Sequence, residues 1–146
     1  MSSTFVRLGG HGFWLRDGML ELWLRLAALH IEDPVESGSI ETRIRDQWLL
    51  ASRGCFTGYV PIGLDEDVAT PEGKKVVVDA IQSLLAALKK APPTVDGNTL
   101  NLLGIDGFEG NPETWCLIEV GQAFLDLIDG KITTTAGDDA PMPGYR

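Results

Sequence analysis

The stretch Asp17-Gly18-Met19-Leu20-Glu21-Leu22-Trp23-Leu24-Arg25-Leu26-Ala27-Ala28-Leu29-His30 decides the fold class. Apolar side chains fall almost all round a helix drawn over Gly18–His30, and only Glu21 and Arg25 make a narrow polar stripe, as an i,i+4 pair in the favourable order. A helix apolar on most sides belongs in the centre of a domain. Its charges and its length argue against a membrane span, which needs about 20 apolar residues. Asp17 stands where its carboxylate is expected to cap the first turn.

Before this helix, Thr4–Leu8 and Phe13–Arg16 are rich in β-formers and flank Gly9-Gly10-His11-Gly12, which predicts a hairpin. After it, Ile31–Gly38 reads as a loop, and Ser39 caps a second helix of about Ile40–Ser52, closed by Gly54. Cys55–Leu64, with Gly58, Pro61 and Gly63, is expected to be extended. Thr70-Pro71-Glu72 opens a helix with a cap, a proline whose missing N–H costs nothing at N1, and an acid against the dipole. That helix runs to about Lys90, before Pro92-Pro93. Asn98–Leu103 is expected as a short strand, Asn111-Pro112-Glu113 as the start of a last helix to about Asp129, and Lys131–Thr135 as a final short strand. The whole is a helix-dominated α+β domain over residues 1–135: about four helices with a small β element from the hairpin and short Gly-rich strands. Residues 136–146, with few apolar anchors, are expected to form a mobile tail.

Two segments resemble each other internally. Ile62-Gly63-Leu64-Asp65 and Leu103-Gly104-Ile105-Asp106 lie 41 residues apart, as do Thr70-Pro71-Glu72 and Asn111-Pro112-Glu113. Two explanations stand: a duplicated loop-helix unit whose copies pack side by side, or convergence on the same helix-start chemistry.

Net charge is −9 and the pI is about 4.5, which argues against nucleic acid because phosphate binding needs a basic face. The N-terminus has no basic and apolar leader pattern, so the chain is expected to be cytoplasmic, with Cys55 and Cys116 as reduced thiols. Asp65, Glu66, Asp67, Asp106 and Glu109 could gather round a hard cation, but their spacing fits no EF-hand loop, and acids before a helix already answer its dipole. His11, His30, Cys55 and Cys116 lack the close pairs of a zinc site, and Cys55 follows a helix end instead of opening one, so no dipole activates its thiol. The Gly9–Gly12 run is no phosphate loop, since no Gly-Lys-Ser/Thr follows. No catalytic residue, metal site or cofactor is expected on this reading.

The acidity is local. Residues 92–146 hold two basic side chains against nine acids, whereas residues 1–91 are nearly balanced. Glu119, Gln122, Asp126 and Asp129 are spaced 3, 4 and 3, which places them on one stripe of the last helix opposite Val120, Phe124 and Leu127. With Asp106 and Glu109 upstream, this end is expected to carry a negative field that steers a basic protein partner. The expected function is that of a small acidic protein-binding protein of the immunity or antitoxin kind. The alternative is a small-molecule binder or small enzyme with a pocket where the glycine-rich hairpin meets residues 55–64, built from His11, Trp14, Cys55 and Tyr59.

Overall fold

The computed structural model describes residues 2–32, 38–54, 56–102 and 111–145. Strands β1 (Ser3–Leu8) and β2 (His11–Arg16) form the predicted antiparallel hairpin, with Leu8 opposite His11 at its closed end. Gly9 and Gly10 have φ of 59° and 87°, the pair of positive values that a two-residue type I′ turn demands and that a Cβ would oppose. Helices α1 (Asp17–Leu29), α2 (Ile40–Ala51), α4 (Pro71–Lys90) and α6 (Thr114–Ile128) are the four predicted long ones; α3 (Leu64–Asp67) and α5 (Gly97–Leu102) are short. The fold is a helix-dominated α+β arrangement. Among the described residues, no helix is long and apolar enough to cross a membrane.

Helix α1 lies at the centre, packed against α2, α4 and β2, while α6 covers α4 and touches both strands. Leu20, Leu22, Trp23, Leu24 and Ala27 are fully buried, as the all-round apolar pattern requires; Leu29, in the last position, is 65% exposed. Four aromatic side chains from four elements run through the core. Trp48 of α2 tilts against Trp23 of α1, Trp23 stacks on Phe124 of α6, and Phe124 meets Phe13 of β2 edge-on. Rings in such pairs add to the area they bury.

The structure differs from the sequence reading at several points. Residues 97–102 are helical instead of extended, because Asn111 Oδ1 accepts from Gly97 N at 2.8 Å and Asp96 Oδ1 from Asn98 N at 3.1 Å, which caps a helical turn. Asn111 is therefore not the cap of α6. That helix starts at Thr114, since Glu113 is held extended in an isolated bridge with Thr94. The expected loop 65–69 includes the helical turn α3. Ser39 and Thr70 do cap α2 and α4, accepting from Thr42 N and Gly73 N. Of the repeat, residues 103–106 lie outside the described residues, and the two Pro-Glu pairs differ: Pro71 begins α4, whereas Pro112 precedes α6.

No strand forms at 131–135, yet the chain there runs beside β2. Gly12 N donates to the Thr134 carbonyl at 2.8 Å and Trp14 N to the Pro141 carbonyl at 3.0 Å. These are the outward amides of β2, so a segment of low apolar content is anchored through its backbone. Further on, Gly144 is buried against Cys116 and Val120, and the Arg16 guanidinium sits 4.6 Å over the Tyr145 ring. The segment for which composition predicts a mobile tail thus closes the free edge of the hairpin.

Candidate functional site

Helix α6 turns Leu117, Val120, Phe124 and Leu127 into the core, which leaves Glu119, Gln122, Asp126 and Asp129 toward the outside. Gln122 and Asp129 are exposed, and Glu119 and Asp126 half-buried. The Gln122 amide donates to Asp126 Oδ1 at 3.0 Å, and Lys131 Nζ lies 4.0 Å from Asp129. Asp106 and Glu109, the other members of the expected acidic surface, lie outside the described residues, as does Cys55.

A groove of about 210 Å³ runs between β1 and residues 59–66. Phe5 and Arg7 form one wall, and Tyr59, Ile62, Asp65 and Glu66 the other. Tyr59 is 62% exposed. His11 and Trp14 do not line this groove: His11 is at the hairpin turn, and Trp14 packs on the Phe5 ring at 5.2 Å. Of the expected pocket residues that the structure describes, Tyr59 lines the groove and His11 and Trp14 do not.

A second cleft, about 540 Å³, opens between the end of α1, the first turn of α2 and the N-terminal two-thirds of α4. Its floor is apolar, from Ile31, Ile40, Val76 and Ala80, and its rim carries Glu32, Glu41, Glu72 and Asp79. Lys75 is ion-paired with Asp79 at 2.5 Å, and His30 Nδ1 is 2.8 Å from Ser83 Oγ. Burial disfavours the charged form of His30 and holds its pKa below the ordinary value. The acids therefore dominate this rim. No local motif marks the cleft in the sequence, because its walls come from three separate helices.

Among the described residues, two aspartates outside the expected site are buried, Asp17 and Asp67. Asp17 does not cap α1. The helix begins at Asp17 itself, and its carboxylate accepts from Thr4 Oγ1 at 2.6 Å, from Gly58 N at 2.8 Å and from Ser2 Oγ. Thr4 Oγ1 in turn accepts from Val60 N at 3.0 Å. Burial alone would raise the Asp17 pKa, but these donors outweigh it and hold the carboxyl below its ordinary range. The second is Asp67, the last residue of α3, 1% exposed. Its neighbours Asp65 and Glu66 are exposed, and Asp65 Oδ1 accepts from Gly9 N at 2.9 Å, so the three acids of this segment point to different places. Among the described residues, no three His, Cys, Asp or Glu side chains converge to hold a metal ion.

No known protein family, characterised protein or solved structure matches the chain.

Proposed function

We propose that the protein is a non-catalytic binding protein that takes a basic protein partner against the acidic outer face of α6, in the manner of a small immunity or antitoxin protein. The observation that carries this reading is the division of α6, with Glu119, Gln122, Asp126 and Asp129 outward and Leu117, Val120, Phe124 and Leu127 buried. Neutralising the outer acids removes the field while leaving the packed face untouched. The carboxylate rim of the cleft between α1, α2 and α4 adds a second negative surface.

The test compares capture from native lysate by the wild type and by Glu119→Gln/Asp126→Asn/Asp129→Asn, at low and at raised salt. The reading requires a basic protein retained by the wild type, lost at raised salt, and lost by a variant whose urea midpoint is unchanged. Equal capture of every protein by both forms would exclude this face.

A second reading, a small-molecule site, is supported by the groove between β1 and residues 59–66. Thermal-shift screening of the wild type and Tyr59→Ala tests it: a ligand that stabilises only the wild type is required.

A further inference from the structure

Asp67 is buried without the partners a buried carboxylate needs. Its Oδ1 has one cationic neighbour, Arg43 Nη1 of α2, at 3.4 Å, and the Arg43 side chain is itself half in solvent. Its Oδ2 is buried with no hydrogen-bond partner, and so is the indole Nε1 of Trp48, also on α2. The Trp48 dipole favours the carboxylate without closing a hydrogen bond to it. A buried charge with one long ion pair and an orphaned oxygen is poorly compensated, whereas the same group protonated is only a buried polar one.

The charged surroundings are few. Among the described charged residues, Arg43 on α2 favours the ionised carboxyl and Glu66 on α3 opposes it. Helix α3 packs against β1 and α4, whose nearby charged residues, Arg7 on β1 and Glu72, Lys74 and Lys75 in the first turns of α4, do not perturb it. Helix α3 is also the wall of the groove beside β1, through Leu64, Asp65 and Glu66.

We propose that Asp67 is a protonation-controlled latch: its neutral carboxyl seats α3 against β1 and α4, beside Arg43 of α2, and loss of the proton to solvent loosens α3 and, with it, the wall of the groove. Burial, opposed by Arg43, raises the carboxyl from 3.8 to about 6. The sign follows from linkage: the seated state binds the proton more tightly than the opened state. The latch is therefore firm below about pH 3.8, weakens as pH rises from there, and is fully weakened once pH has passed about 6. With those two values, the opening equilibrium should rise about tenfold between pH 5 and pH 7.5.

The experiment follows the indole 1H–15N cross-peak of Trp48, assigned with Trp48→Phe, and the hydrogen-exchange protection of the amides of residues 67–69 over that range, in the wild type and in Asp67→Asn. The proposal expects the cross-peak to titrate near pH 6. It also expects protection, corrected for intrinsic exchange, to fall about tenfold by pH 7.5 in the wild type and to stay flat in Asp67→Asn. If Asp67→Asn does not fold, Arg43→Gln serves: loss of the cation should move the cross-peak midpoint upward. A Trp48 cross-peak that does not titrate between pH 5 and pH 7.5 overturns the proposal. So does an equal fall of protection in Asp67→Asn, or an Arg43→Gln midpoint that stays in place.

Discussion

The indole of Trp23 and the ring of Phe124 lie nearly parallel, 7° apart in plane, with centroids 4.2 Å apart. This contact joins the central helix α1 to the buried face of α6, which also packs on α4 and both strands. Phe124→Ala should cost about 3–5 kcal/mol, through lost burial and the cavity left behind. Trp23→Phe should cost less, because Trp23 Nε1 is a buried donor without a partner and its removal relieves that debt. Urea denaturation of both variants checks the order; a Trp23→Phe loss larger than that of Phe124→Ala would contradict it.

Two glycines permit close approaches of different stiffness. A Cβ on Gly121 would stand 2.7 Å from Leu85 Cδ2, the end of a side chain that can turn aside. A Cβ on Gly73 would stand 2.0 Å from the backbone oxygen of Asp67, which cannot. Gly121→Ala is therefore expected to cost about 1–3 kcal/mol, as overpacking does, and Gly73→Ala about 3 kcal/mol or more. The Gly73 variant should also lose exchange protection in α3, since the clash pushes Asp67 off its seat, whereas Gly121→Ala should leave α3 protected.

These positions show where the sequence was readable. The hairpin, α2 and α4 were legible because each is announced locally: Gly9-Gly10 supplies the positive φ values, and Ser39 and Thr70 lie three residues from the amides they cap. The errors fall where the deciding partner is distant. Helix α5 depends on Asn111, 14 residues past Gly97, and Glu113 is held back from α6 by Thr94. Asp17 looks like a cap until Ser2, Thr4 and Gly58, the last 41 residues away, claim its oxygens. The outward stripe of α6 follows from helical spacing alone. The groove and the acid-rimmed cleft do not, since each is enclosed by elements that only tertiary packing brings together.

The hydrogen bonds to Asp17 predict an acid-dependent loss. The folded carboxyl lies below its unfolded value near 3.8, so its contribution is complete above about pH 5 and disappears as pH falls through the depressed folded value. Asp17→Asn loses charge-assisted bonds and should be about 2–3 kcal/mol less stable than the wild type at pH 7. Taking the difference between the two proteins cancels the other carboxyls. That difference should shrink by pH 3; a gap of equal size at both pH values would mean that Asp17 is not charged in the fold.

In the pairing of Phe5 with Trp14 and Arg7 with Gly12, the amides of Gly12 and Trp14 point away from β1, and both end on carbonyls of the C-terminal segment, Thr134 and Pro141. Thr134 Oγ1 also donates to the Gly12 carbonyl at 2.8 Å. Removing residues 132–146 would strip these bonds, uncover Cys116 and Val120 beneath Gly144, and free Arg16 from Tyr145. With about 1 kcal/mol net for each of three hydrogen bonds and somewhat less for the cation–π contact, the loss should be about 3–4 kcal/mol. An uncovered strand edge also pairs with other chains. The truncated protein should therefore run larger on size exclusion as its concentration rises, while the full chain should not. A truncated form that keeps its urea midpoint and its elution volume would show that the segment only lies on β2 without holding it.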